Sequence, residues 1–305
     1  MTIVAMLCCA LWGSASPAIT TGYKLLRVEG VASIMLFAGM RFFLAGILTV
    51  IIFSIAERKV LVPRKENIPR ILAVSAFQTV LQYIFFYLGL AYTSTVKGSV
   101  TSGSGAFFSV IIASLIFKQE KLTLKKVCAC VIGFIGIFTL NFEALLVKGD
   151  ILDLMGVGFV LISTVSSSFS SVLTKKYSAY ESPVVISGYQ FMVGGLFLIA
   201  VGFSFGGRVY IDSVGAALDL IYLAFLSAIA YSLWGILLKH NPVSRVTVFN
   251  FMTPVFGVLF TYIFLPDEQS KVTVTGLVIT LILICTGILM LNYKKVQKTL
   301  PEIEK

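Results

Sequence analysis

Apolar residues fall in ten long runs, near positions 3–22, 31–54, 70–92, 96–117, 124–141, 151–174, 183–205, 215–238, 245–265 and 272–292. Short polar segments separate them. A helix rises ~1.5 Å per residue, so ~20 apolar residues cross ~30 Å of hydrocarbon. Backbone groups cannot stay unpaired in lipid, so helices are expected. A transmembrane barrel would show ~10-residue alternating strands instead. The pattern predicts an all-α membrane protein. The first run has no basic segment before it and reads as a retained helix rather than a cleaved signal. The loops are too short to hide a soluble domain, and residues 294–305 read as a polar tail.

Composition agrees. The chain is 58% hydrophobic and 12% charged, with a mean hydropathy of +0.97. Soluble domains sit nearer half apolar and about a quarter charged. The net charge of +10 does not point to nucleic acid, because the basic residues track topology. With the N-terminus inside, the inner segments hold seventeen basic residues and the outer loops six. That bias is the positive-inside rule and makes both termini cytoplasmic. The five cysteines lie within apolar runs without a CxxC pair, as small buried hydrophobes do.

The chain repeats itself. An offset of 148 pairs Tyr83 with Tyr231, Lys97 with Arg245, Phe108 with Phe256, and Glu120 with Glu268. At 149, Arg41–Gly46 lies on Gln190–Gly195; at 151, Ile135–Phe142 lies on Thr286–Tyr293. Each half holds five spans, an odd number, so the second half must run through the membrane in the opposite sense. The basic segment Lys118–Lys126 has a counterpart, Pro266–Thr273, that has lost most of its charge. The expected units are residues 1–143 and 150–293. Inverted repeats place a substrate site near the midplane, between the halves.

Leu11-Trp-Gly-Ser14, Arg41-Phe-Phe-Leu-Ala45, Gly89-Leu-Ala-Tyr-Thr93 and Glu120–Thr123, with a second copy of the last at Asp267–Thr273, carry a family resemblance. In their order and spacing the chain resembles the ten-span drug/metabolite transporters of the EamA type. The resemblance covers residues 1–293. It implies two inverted five-helix repeats around a central cavity, and movement of amino acids, other metabolites or drugs, with export expected. Two departures stand out. Family members often carry a proline midway along the fourth span; Pro254 keeps it in the ninth, but Ala106 stands at the matching place. The related four-span pumps use a first-span glutamate to exchange protons for cationic drugs. Here that span reads Trp12-Gly-Ser-Ala-Ser-Pro17, and none of the fourteen acids lies mid-span. Asp153 and Asp219 come nearest, close to outer ends, so proton-coupled cation export through a buried carboxylate is not expected.

The polar groups kept inside the membrane are the candidate site. Arg41 lies mid-span, where a charge costs ~3 kcal/mol or more. It is either an anion-binding fork or a structural tie to carbonyls or a loop carboxylate; since the family places this span peripherally, structure is favoured. Lys97, near a span end, is either a ligand or a snorkelling lysine. Gln78 and Gln82 lie one turn apart with Tyr83 and Phe86 beside them, and Tyr231 and Trp234 hold matching places. Amide and aromatics could hold an apolar solute, or simply fill the core. Trp12 and Ser16 share a face of the first span, which lines the cavity in the family. Ser102 belongs to a small-residue stripe in the fourth span, and Ser167 and Ser170 to a serine stripe in the sixth. Such stripes chiefly allow close packing, and their hydroxyls could also meet solute. Asn250 is a buried amide in the ninth span.

Enzyme chemistry finds no footing. His240 is the sole histidine and sits at a span end; Ser102-Gly-Ser-Gly105 has no base at its depth; no cluster has metal-ligand spacing, and no phosphate loop implies ATP. No catalytic residue, metal or cofactor is expected. The reading is a secondary transporter or facilitator for small organic solutes, in contact with membrane lipids, without nucleic acid. One chain suffices, with room for a dimer. A channel or lipid-handling protein is the alternative.

Overall fold

The computed structural model describes residues 1–93, 98, 101–140, 151–264 and 274–292, without the side chains of Ser16, Ile137, Leu140, Val258, Val274, Thr275, Leu277 and Asn292. The described residues are all-helical, with no strand among them. The helical segments, in chain order, are α1 (Thr2–Leu25), α2 (Gly30–Ala56), α3 (Lys65–Tyr92), α4 (Thr101–Ile116) and α5 (Leu124–Leu140). α6 (Ile151–Tyr177), α7 (Pro183–Ser204), α8 (Val214–His240), α9 (Val243–Phe264) and α10 (Val274–Asn292) follow. Each predicted run falls on one of them. Among the described residues, seven are long and apolar enough to cross a membrane: α1, α2, α3, α6, α7, α8 and α9. Their outward faces show large apolar side chains such as Ile55, Leu154, Leu218 and Phe203, which lipid would cover and water would not.

Local chemistry sets several ends. Pro183 opens α7, its lost N–H being one that no helix start can pair. The Ser213 hydroxyl caps α8 by accepting from Ala216 N at 3.1 Å. Inside the helices the ladder is not uniform. α3 widens to a π-turn at Ala76–Leu81 and α4 at Ile112–Ile116. α9 tightens to a 3-10 stretch at Val248–Phe251, just before Pro254, which removes the N–H that would bond to Asn250 O. α4 also breaks at Ser104, where Ser104 N and Oγ both donate to Thr101 O (3.1 and 2.6 Å). A side chain bonding back does there what proline does in α9.

Packing follows a rule. α2 lies along α7 and α5 along α10. α3 packs on α6 as α8 packs on α1; α1 meets α9 as α6 meets α4; α2 meets α8 as α7 meets α3. Adding five to each label, cyclically, reproduces the list. Close backbone contacts obey the sequence offsets too. A methyl on Gly39 would meet Gly195 O at 2.8 Å, and one on Gly46 would meet Gly188 O at 2.6 Å. Gly39 and Gly188, like Gly46 and Gly195, are 149 apart. On α5 and α10, Gly136 faces Thr280 O and Gly287 faces Ala129 O, pairs related by 151. Only glycine lets these backbones come so near, and that contact supplies the packing that hydrophobic burial cannot supply in lipid.

Candidate functional site

Six rings from five helices meet at the centre. Tyr231 and Trp234 stand one turn apart on α8. Trp12 of α1 sets its edge against both, with centroids 5.0 Å away in each case. Tyr231 lies edge-on to Phe191 of α7 at 4.9 Å, and Phe191 stacks on Phe42 of α2 at 5.1 Å. Phe42 leans on Tyr83 of α3 at 4.4 Å, and the Tyr83 and Tyr231 hydroxyls meet at 3.1 Å. The circuit closes on itself. Phe42 and Phe191 are 149 residues apart, and Tyr83 and Tyr231 are 148 apart. Each offset-related pair is thus in direct contact. Edge and offset-stacked contacts add ~0.5–1.5 kcal/mol each beyond burial.

Two unspent polar atoms lie on neighbouring helices. Trp12 Nε1 and Asn250 Oδ1, on the packed pair α1 and α9, are buried without a hydrogen-bond partner among the described residues. Buried polar groups are nearly always paired, so an indole donor and an amide acceptor left over here can serve a solute.

Arg41 is only 3% exposed. Its Nε and Nη2 donate to Ser227 Oγ on α8 (3.1 and 2.9 Å), and the Ser227 hydroxyl in turn donates to Leu223 O at 2.8 Å. The guanidinium lies 5.0 Å over the Phe42 ring. No carboxylate comes within ion-pair distance of it among the described residues. The other half has its own tie: Thr79 Oγ1 of α3 donates to Gln190 Oε1 of α7 at 2.7 Å. Arg41 maps onto Gln190 at offset 149 and Thr79 onto Ser227 at 148. Spacing alone brings out Arg41 and its match with Gln190, but not the hydroxyls that receive them.

The other candidates scatter. Gln78 is buried within the π-turn of α3, and Gln82 is half-buried just past it. The wider turn removes the simple one-turn relation between them. Ser102 is exposed on α4. Ser167 and Ser170 spend their hydroxyls on their own helix, at Thr164 O (3.1 Å) and Ser167 O (2.8 Å). Ser166 and Ser168 make the cross-ties instead, to Phe77 O of α3 (2.7 Å) and Gly105 O of α4 (3.0 Å). Lys97 and Glu268 lie outside the described residues, as does the Ser16 side chain.

At the basic end of the bundle, Glu120 ties the segment before α5 to the start of α9. Its carboxylate accepts from Ser244 N (3.0 Å), Ser244 Oγ (2.5 Å) and Lys126 Nζ (2.6 Å). Burial pushes its pKa up. The bonds from Lys126 and Ser244, with the Lys126 charge, more than offset that and hold it below the ordinary value. Beside it, Lys175 Nζ donates to Leu238 O and Asn241 O at the end of α8 (2.8 and 2.7 Å).

Apolar helices joined by buried polar ties, around a centre of aromatic rings, are the make-up of a multi-pass helical membrane protein. The comparisons with known proteins say which. A model of the EamA-like transporter family matches residues 1–142 and 154–293. The chain belongs to that family, within the drug/metabolite transporter superfamily. A protein of Archaeoglobus fulgidus, named an uncharacterized transporter, is 25% identical over 90% of this chain and 93% of its own. The uncharacterized transporter YvbV of Bacillus subtilis is 26% identical, over 87% and 84%. A WAT1-related chloroplastic protein of Arabidopsis thaliana is 26% identical over 66% of this chain and half of its own. One crystal structure shares the fold with a TM-score of 0.78 at 17% identity, covering 95% and 96% of the two chains.

Proposed function

We propose that the chain is a ten-span secondary transporter or facilitator of the inner or plasma membrane, with both termini cytoplasmic. It moves a small organic solute, an amino acid or related metabolite, by alternating access between two inverted five-helix halves. Export is the direction the family suggests. The halves are residues 1–143 and 150–293, and 294–305 form a cytoplasmic tail. The solute binds in the ring circuit, with Trp12, Tyr231 and Trp234 against its apolar part and Trp12 Nε1 and Asn250 Oδ1 for its polar part. One chain is a complete unit, and the reading invokes no catalytic step, cofactor or ATP.

The observation that carries this reading is the ring circuit itself. Its offset-related pairs, Phe42 with Phe191 and Tyr83 with Tyr231, touch each other, as residues near a two-fold axis do. The twofold family match and the exchange of helix contacts support the same axis. A site there can face either side as the halves rock.

Counterflow in proteoliposomes tests it, against a panel of amino acids, organic acids, phosphorylated sugars and lipophilic cations. Saturable exchange of one class is expected, lost in Trp12→Ala and Trp234→Ala and weakened in Tyr83→Ala. Ion currents at high unitary rate, or folded protein that exchanges nothing, would sink the carrier reading. Normal exchange in all three variants would move the site elsewhere.

A further inference from the structure

Asp219 stands in the second turn of α8, at the end opposite the basic one, and its carboxyl turns into the bundle. A methyl added at Gly22 of α1 would collide with Asp219 Oδ2 and would lie 3.1 Å from the Phe37 ring of α2. The oxygen is thus pressed against the α1 backbone. That oxygen is covered, while the residue as a whole is half-buried, and it has no hydrogen-bond partner among the described residues. Arg41 is near enough to act on it electrostatically, yet no ion pair joins them, because the guanidinium is held on Ser227. A carboxylate and a guanidinium therefore share one apolar neighbourhood, unpaired.

That arrangement is expensive while the acid stays ionised, and the cost falls when it takes a proton. It is also one-sided: at offset 148 the other half has Ile71 in place of Asp219. Arg41 on α2 is the charged group that acts on it; the other titratable groups on the helices of that end are Tyr87 on α3, Tyr222 further along α8, and Tyr23 and Lys24, which follow Gly22 on α1. An Arg27–Asp212 ion pair lies in the loops at that end. Tyr23 acts electrostatically on Tyr87, the Tyr87 ring lies 5.8 Å from that of Tyr83, and the Tyr83 hydroxyl meets that of Tyr231. This row of phenols leads from the Gly22 corner to the ring circuit.

We infer that Asp219 is a proton-binding site that couples solute movement in the ring circuit to movement of a proton across the membrane. The inference rests on the carrier reading. The step forms one O–H bond at the Asp219 carboxyl and breaks one in a hydronium ion. When α1 and α8 shift, the proton returns to water on the other side, and no electron moves. Asp219 keeps the solute out of direct contact and acts through its charge on Arg41 and the phenols.

Wild type and Asp219→Asn, both checked as folded by gel filtration, are compared in two ways. The first uses no solute: infrared difference spectra are taken as pH falls from neutral. A protonated-carboxyl band that titrates in wild type and is missing from Asp219→Asn is expected; identical titrations overturn the site. The second uses liposomes with a trapped pH dye and the solute found by counterflow. Asp219→Asn is expected to keep counterflow but lose both the proton signal and accumulation driven by a pH gradient. Wild type that exchanges solute without moving protons, or a variant that still moves them, overturns the coupling. Absence of exchange in both proteins counts against the carrier reading, and the infrared titration still decides the proton site. Gly22→Ala keeps the carboxyl but displaces Oδ2. Its titration midpoint should shift, and an unchanged midpoint also overturns the assignment.

Discussion

The two polar ties at the centre occupy matching places and differ in one respect. In the second half a glutamine on α7 takes a threonine hydroxyl from α3; in the first, an arginine on α2 holds a serine hydroxyl on α8. The neutral pair shows what the tie requires, which is an amide and a hydroxyl. The charge on Arg41 is therefore surplus to the tie, at ~3 kcal/mol or more for a cation at mid-membrane. Asp219, with its unpartnered oxygen, is in the same sector. Arg41 stands where Gln190 does at offset 149 and Asp219 where Ile71 does at 148, and each of these two departures adds a charge.

The comparison can be broken most severely at the glycine crossing of α2 and α7. Val at Gly195 would drive side-chain atoms into the α2 backbone, and Val at Gly39 would do the same to α7. Overpacking costs ~1–3 kcal/mol or more, and both variants should lose the monodisperse peak in fluorescence-detected gel filtration. If only one does, the crossing is not two-fold in energy, whatever its geometry.

Next in size is the tie at the basic end. Glu120→Gln removes a charge-assisted set of bonds worth about 1.5–3 kcal/mol. The folded carboxyl lies below its unfolded value, so its contribution is full above the ordinary carboxylate range. It is lost as pH falls through the folded value. Thermal unfolding of wild type should therefore weaken on that acid limb, and Glu120→Gln should start lower and flatten it. An unchanged acid limb in the variant would remove Glu120 from the linkage between the halves.

The smallest effect sharpens the comparison most. Gln190→Leu removes the acceptor of Thr79 and should cost about 1–2 kcal/mol. Arg41→Gln recreates in the first half the pair already present in the second. Its cost in melting experiments should be under ~1 kcal/mol, within the range of an interhelical hydrogen bond. A loss larger than that of Gln190→Leu would show that the charge itself holds the fold.

The positions of the helices were legible because lipid imposes one length and one kind of residue. The offsets were legible because packing residues recur at fixed spacing, and Tyr83 and Tyr231, matched in sequence, do meet. Less could be read of the site. Which serines of α6 face a neighbour depends on rotations of about 100° per residue. The stripe therefore suggested Ser167 and Ser170, while Ser166 and Ser168 make the ties. The relation between Gln78 and Gln82 was upset by a π-turn that nothing in their spacing announces. Ala106 stands where family members often carry a proline, and α4 breaks all the same, at Ser104. Asp219 looked peripheral because depth was judged from the end of its run. Its isolation depends on Gly22, nearly two hundred residues away in the chain.

The chain has two tryptophans, Trp12 and Trp234, and they touch. All of its indole absorption and emission therefore originates at one spot, the wall of the ring circuit. The unlabelled protein is its own optical probe. A solute that slips between those rings, or a rocking motion that parts α1 from α8, must change the exciton coupling of the pair and the colour of its fluorescence. Excitation at the red edge, where the twelve tyrosines absorb little, isolates that signal.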